Sequence, residues 1–175
     1  MLKQPSRTNS KREMQSSAEA YDKALDLLSY HDFSDKAMTD RLKQKGATDK
    51  QAEEAVAKLN EYGILNEERY AQRVYQAWLN KAVYGKLHLQ AELIKRSIKP
   101  ELIANILAEF TPELEEEHAH KAAKIFLARN KKKLEQLDSK DTKIYGAASR
   151  FMVARGFSSR YVHILLEELQ FEDIE

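Results

Sequence analysis

The side chains with the clearest chemical capacity are cations and aromatics between positions 69 and 99. Clustered arginines and lysines bind carboxylates or phosphates, and a neighbouring aromatic ring can stack on a partner. Arg69 and Arg73 are four residues apart, which places them on one face of a helix. The sequence therefore predicts a partner-binding surface of Arg69, Arg73, Lys81, Tyr84, Lys86, Lys95, Arg96 and Lys99. The alternative, that these cations only solvate helices, stays open, and Trp78 fits a core position better.

Residues suited to catalysis or metal binding are sparse. His118 and His120 beside the acidic run 115–117 form the one metal-like cluster, but an acidic, solvated helix start is the preferred interpretation. The chain has no cysteine, so thiolate sites and cysteine nucleophiles are excluded. No glycine-rich phosphate loop and no serine in a nucleophile turn occur. The sequence predicts no enzyme, no metal and no cofactor.

Composition limits the fold class. Hydrophobic residues make up 42% and charged residues 33% of 175 residues, typical of a folded soluble domain or short array. Five glycines and three prolines are too few for an all-β fold with many tight turns. No apolar run has the length of a membrane span and the N-terminus has no apolar signal core, so we expect a cytoplasmic protein with no membrane contact.

Charge is segregated although the net charge is only +1. Cations concentrate in residues 121–133, and carboxylates concentrate in residues 109–117 and at the C-terminus. Segregated charge favours an oriented electrostatic surface for a charged partner. Ordinary solvated helix faces are the alternative for each cluster.

The elements that position these residues are helices that end at recurring small residues. Gly46, Ser97 and Gly156 each follow a helical pattern, and a cation directly precedes each of them. The helix after each one has apolar residues at i, i+3, i+4 and i+7, the stripe of an amphipathic helix. The three matching stripes are Ala52, Ala55, Val56 and Leu59; Ile103, Ile106, Leu107 and Phe110; and Val162, Leu165, Leu166 and Leu169.

Helix boundaries agree with this register. Gly46 and Gly156 are predicted just past helix ends, where a left-handed conformation favours glycine. Predicted helix starts are Ser34, Thr48 with a capping box to Gln51, Gly85, Pro100 and Ser158. First helices of the repeats are indicated by Tyr21, Ala24, Leu25 and Leu28; by Tyr70, Ala71, Val74, Trp78 and Leu79; and by Ala122, Ala123, Phe126 and Leu127.

The predicted fold class is all-α: an elongated, right-handed-type array of three tandem three-helix repeats. The predicted divisions are a disordered basic tail at 1–17 and repeats at 18–65, 66–114 and 115–175, the last with an insertion near 130–143. Arrays of this kind present long surfaces rather than deep pockets, so the fold class favours binding over catalysis.

Three segments resemble the RecX regulators of the bacterial recombinase RecA. They are residues 59–71 (LNEYGILNEERYA), 84–98 (YGKLHLQAELIKRSI) and 150–157 (RFMVARGF). Asn66 stands where the family usually has aspartate, and Ser97 where it has glycine. The matching positions that we interpret as structural are Gly46, Leu59, Gly63, Leu65, Asn66, Tyr70, Ala71, Gly85, Leu93, Phe151, Arg155 and Gly156. Gly63 would let the chain turn, with Leu59, Ile64, Leu65 and Tyr70 buried around it.

The resemblance implies a non-enzymatic regulator in homologous recombination, DNA repair and the SOS response. As a member of that family, the chain is expected to bind RecA or its filament on single-stranded DNA. It would then modulate, and in the preferred interpretation inhibit, ATP hydrolysis, strand exchange and filament growth. We expect a monomer with no cofactor, and whether it inhibits or supports the recombinase stays open.

Direct DNA binding is the alternative. Three-helix units resemble helix-turn-helix modules, whose recognition helices start with base-reading arginine, asparagine or glutamine. The candidate helix starts at 48–51, 99–101 and 158–161 hold few such residues. With a net charge near zero, this alternative predicts weak, sequence-tolerant binding to single- or double-stranded DNA. An inert scaffold, which would bind neither partner, is the third possibility.

Overall fold

A computed structural model describes residues 13–135 and 143–172. Within these ranges the regular structure consists of nine helices and no strands, which confirms the all-α prediction. The helices are α1 (Ser17–Leu28), α2 (Asp35–Gln44), α3 (Asp49–Glu61), α4 (Glu67–Leu79), α5 (Lys86–Lys95), α6 (Pro100–Glu109), α7 (Pro112–Leu134), α8 (Lys143–Val153) and α9 (Ser159–Glu172). The predicted basic tail lies largely outside the described residues, as does half of the predicted insertion, residues 136–142.

Side-chain caps fix the helix starts. Ser34 accepts from the backbone N–H of Ala37, and Thr48 and Gln51 form the predicted capping box. Asn66 Oδ1 accepts from the N–H of Arg69 at 2.7 Å, so asparagine caps α4 as an aspartate would. Pro100 begins α6, and Gly85 is the residue before α5.

The small residues predicted to follow helix ends adopt the left-handed backbone conformation. Gly46 has φ +109° and Gly156 has φ +78°, and Ser97 adopts φ +56° although it is not glycine. Gly63, at φ +64°, closes α3 with its N–H on the carbonyl of Asn60. The small residues therefore act as turn positions, including the one that departs from glycine.

The chain divides into two compact units, and the division falls within α4, after Tyr70. The three-repeat division stays a prediction. In unit 1, α1 and α2 both pack on α3. Its core is formed by Ala20, Ala24, Met38, Leu42, Ala52, Ala55, Val56, Leu59 and Leu65. The N–H of Met14 donates to the carbonyl of Gly46 at 3.0 Å, which attaches the start of the described chain to the α2–α3 turn.

Unit 2 has a core in which α7, α8 and α9 pack on one another. Small residues at Ala119, Ala122, Ala123 and Ala148 let these helices approach closely around Phe126 and Leu165. Trp78, Phe110, Leu89 and Leu93 are also buried in this unit. The prediction that Trp78 is a core residue is confirmed, since only 2% of it is exposed.

Two burial predictions were wrong. Ile64 is 40% exposed, because the turn at Gly63 directs Leu65, and not Ile64, into the core. Leu25 is 37% exposed, because Ala20 and Ala24 occupy the contact face of α1 and leave Leu25 at its margin. The three stripes after the small residues are otherwise inward-facing, with Leu107 and Leu166 partly buried.

Candidate functional site

The cations of α4 lie on its solvent face. Arg69 and Arg73 are exposed, while Ala71, Tyr75 and Trp78 form the buried side of the helix. The four-residue spacing therefore places both guanidinium groups on one outward surface, as predicted. Arg73 also interacts within the protein.

The cations around α5 are not gathered into one patch. Lys86 and Lys95 are nine residues apart, which in a helix puts them on opposite sides. Arg96 is half-buried and donates to both the carboxylate and the backbone carbonyl of Glu92. The Arg96 hydrogen bond lowers the pKa of Glu92, so much of the Arg96 charge is neutralised by that partner. Lys95 and Lys99 are exposed.

Tyr84 lies in a stack of aromatic side chains rather than extending from the surface. Its ring packs on His88 with centroids 4.1 Å apart, and the amine of Lys81 lies 5.8 Å from its centroid. Trp78 Nε1–H donates to His88 Nδ1 at 2.9 Å, and the Trp78 ring meets Phe110 edge-on. Of the predicted surface, Lys81 and Tyr84 are brought together, and Tyr84 is already stacked within the protein.

The segment 84–87 is held by four consecutive hydrogen bonds. The carbonyl of Tyr84 accepts from His118 Nδ1 at 3.0 Å, and the N–H of Gly85 donates to the Arg155 carbonyl at 2.9 Å. The N–H of Lys86 donates to Glu115 Oε1 at 2.8 Å, and the N–H of Leu87 donates to the Gly156 carbonyl at 3.1 Å. The start of α5 is thereby attached to both α7 and the end of α8.

Glycine is required on both sides of this contact. A Cβ added to Gly85 would lie 2.5 Å from the Gly156 carbonyl oxygen, and one added to Gly156 would lie 2.2 Å from the His88 backbone nitrogen. Both distances are well below van der Waals contact, and the nearest atoms belong to backbone that cannot rotate away. The two glycines that mark separate family motifs in the sequence therefore pack against one another.

The partly buried His88 and the buried His118 both have lowered pKa values. Burial lowers the pKa of His88, against the raising effect of Glu92 and together with the lowering effect of Lys81. Burial also lowers the pKa of His118, although its hydrogen bond to the Tyr84 carbonyl raises it. Because an indole N–H can only donate, His88 Nδ1 must be unprotonated to accept it.

Sequence reasoning missed the buried polar residues Glu115 and His118. It placed them on a solvated helix start, yet they are only 6% and 4% exposed. The available signal was the spacing, since Glu115, His118 and Ala122 continue the inward stripe that runs to Phe126. His88 gave no comparable signal, because its role depends on Trp78, ten residues away and on another helix.

The part of the chain that the structure describes was compared with the requirements of a metal site. No group of three or more histidine, cysteine or carboxylate side chains there could hold a metal ion. Within the same residues, no helix combines the length and apolar character that crossing a bilayer requires. The arrangement presents cationic and aromatic side chains on a helical framework, which suits recognition of a charged partner.

Comparison with known proteins gives a consistent family. The family described as "RecX, first three-helix domain" matches residues 20–59. The Regulatory protein RecX of Bacillus licheniformis is 33% identical over 153 residues, which cover 87% of this chain and 56% of that protein. The Regulatory protein RecX of Legionella pneumophila is 25% identical over 153 residues, covering 86% of this chain and 95% of that protein.

A solved structure shows the same fold. The crystal structure of RecX from Lactobacillus salivarius matches with a TM-score of 0.73 at 21% identity, covering 89% of this chain and 97% of that one. The chain spans only about half to three-fifths of the first curated relatives, between 47% and 60% of their lengths. The match to each of these relatives is thus partial.

Proposed function

Because this chain belongs to the RecX family, we propose that it is a non-enzymatic regulator of the recombinase RecA. The observation that carries the proposal is the 33% identity, over 87% of this chain, to a protein named for regulation. The all-helical framework and its exposed cations support a binding role. In the proposed mechanism the chain contacts the RecA filament on single-stranded DNA and inhibits ATP hydrolysis, strand exchange and filament growth.

The exposed cations support several separate, modest contacts. Arg69, Arg73, Lys95 and Lys99 are exposed cations that could meet carboxylates on successive subunits of a filament. Each such contact is weak when exposed to solvent, but contacts repeated along a filament add up. Arg96 and Tyr84 contribute less, because Glu92 and His88 already occupy them. The proposed acting unit is a cytoplasmic monomer.

Filament co-sedimentation and ATPase measurements test the proposal. RecA assembled on single-stranded DNA should retain the purified chain in the pellet, and saturating chain should lower the rate of ATP hydrolysis. Unchanged hydrolysis together with no retention would contradict the proposal. Tight retention by a duplex without recombinase would instead favour the DNA-binding alternative.

Charge reversal tests the surface. Arg69→Glu with Arg73→Glu should weaken filament retention by about tenfold, because two favourable contacts become repulsive. Lys36→Glu with Lys50→Glu serves as the matched control, since it makes the same charge change at exposed positions of α2 and α3. Equal losses in both pairs would indicate a general charge effect rather than a site on α4.

A further inference from the structure

Lys81, Tyr84 and Arg155 of unit 2 lie at the contact between the start of α5 and the end of α8, and the charge of a third cation, Arg129, acts on Arg155. The Gly85 N–H bonds to the Arg155 carbonyl, which brings the backbone of Arg155 beside Tyr84. Lys81 lies by the Tyr84 ring. Burial lowers the pKa of the Arg155 guanidinium. Two neighbours also act on it electrostatically: the Tyr84 phenol raises this pKa and the Arg129 charge lowers it.

Arg155 is fixed in position without an anionic partner. Its guanidinium carbon lies 3.5 Å from the Phe151 ring centroid, and Nη1 donates to the Phe151 carbonyl at 3.3 Å. Its buried Nε–H has no acceptor among residues 13–135 and 143–172. A guanidinium that is stacked and half-buried loses little conformational freedom on binding, so it is prepared to meet a carboxylate.

The other two cations, Lys81 and Arg129, also have no carboxylate partner among the described residues. Lys81 and Arg129 are exposed, and no carboxylate in the described part of the chain forms a salt bridge with Lys81, Arg129 or Arg155. The nearby carboxylates are engaged elsewhere, since Glu92 holds Arg96 and Glu115 accepts from the Lys86 N–H. The local positive charge is therefore left for an external anion.

We propose that Lys81 and Arg155 beside Tyr84, supported by the charge of Arg129 on Arg155, form an anion site that binds a carboxylate-rich segment of a partner protein. The arrangement favours an acidic peptide over single-stranded nucleic acid. Nucleic acid sites combine a track of cations with aromatic faces open for base stacking. Here one face of Tyr84 is covered by His88, so that face is not open for stacking. The inference rests on the proposed function only in that this function supplies a protein partner.

A peptide titration tests the site on the full chain alone. Trp78 is the only tryptophan, and its hydrogen bond to His88 connects it to the stacked Tyr84 ring, so its fluorescence should respond to ligand at the site. A glutamate hexapeptide at about 0.05 M salt, where charge screening is limited, should give a saturable change. Lys81→Glu with Arg129→Glu should weaken peptide binding by about tenfold or more. The exposed Lys124→Glu, on the same helix as Arg129, should leave binding within about twofold.

The outcomes separate this site from the proposed function. No saturable response, equal binding by both variants, or tighter binding of an oligothymidine of about ten nucleotides would overturn the site. Circular dichroism of each variant checks that the helices are retained. Filament retention of the unmodified chain is measured in parallel: retention without peptide binding removes the site and keeps the function. Peptide binding without filament retention keeps the site and removes the proposed function.

Discussion

Ser97 and Ala82 hold a backbone conformation that side chains disfavour. Their φ angles are +56° and +50°, in the left-handed region where a Cβ crowds the following carbonyl. Ser97 stops α5 at the place where Gly46 and Gly156 stop α2 and α8. The turn therefore has the left-handed conformation at all three equivalent positions, and at Ser97 this conformation is strained because serine has a Cβ.

Ser97→Gly should raise the free energy of unfolding by about 0.5–1 kcal/mol, since relief of the left-handed conformation exceeds the added freedom of the unfolded chain. Urea denaturation at neutral pH measures the change. Ala104→Gly, at an exposed position inside α6, is the matched control and should lower stability by about 1 kcal/mol. A loss in both variants would show that Ser97 is not strained.

The lowered pKa values of His88 and His118 predict that stability depends on pH. Their folded pKa values lie below the unfolded value of about 6.5, so the unfolded state takes up more protons once the pH falls through that value. Stability is thus fully present above about pH 6.5 and declines below it, toward the folded pKa values.

Urea midpoints measured between about pH 7.5 and 5.5 should therefore decrease as the pH falls. His88→Gln with His118→Gln should flatten that decrease, because glutamine does not titrate. His31→Gln, at an exposed residue before α2, should preserve it. A flat profile in the unmodified chain would contradict the lowered pKa values of both histidines.

At the scale of elements, α5 is joined to α8 through backbone rather than through long side chains. Gly85 and Gly156 approach so closely that neither has room for a methyl group. Gly63 differs, because a Cβ there would meet nothing within 4 Å and only its φ of +64° opposes substitution.

Gly156→Ala should therefore cost more than about 2 kcal/mol of stability, combining overpacking with left-handed strain. Gly63→Ala should cost only about 1 kcal/mol from backbone strain. Thermal or urea unfolding of both variants measures the difference. Similar losses would mean that the contact between α5 and α8 is looser than described.

Helices and their boundaries could be predicted from the sequence because caps and left-handed stops are local. Thr48 with Gln51, Pro100 and Gly46 each specify a boundary through neighbours in the chain. Ile64 shows the limit, since which of two adjacent apolar residues turns inward depends on the geometry of the turn. The buried pairing of Trp78 with His88 depends on packing between helices and left no local signal.

At the scale of the whole molecule, the proposed partner binding depends on charge placement more than on net charge. A total of +1 gives little long-range attraction to an acidic partner, whereas grouped cations act at short range. The sequence indicated the family and several exposed cations correctly. It could not show that Arg155 forms no salt bridge with a carboxylate of residues 13–135 and 143–172, because that depends on folded geometry.

Filament retention should therefore weaken by about tenfold or more when salt rises from about 0.05 M to 0.5 M, as short-range ion pairs are screened. Co-sedimentation across a salt series measures this. The Arg69→Glu and Arg73→Glu double variant should show a smaller decrease, having already lost two of the contacts. Retention that does not change with salt would point to an apolar interface instead.

The backbone of residues 84–87 has a consequence for exchange with solvent. This segment connects two helices, a place where amides usually exchange quickly because local opening is easy. Here the amides of Gly85, Lys86 and Leu87 donate to partners in α7 and at the end of α8, so releasing them requires separating those elements. In D₂O the amides of this connection should exchange nearly as slowly as those of the surrounding helices. A slow exchange rate therefore distinguishes it from an ordinary loop.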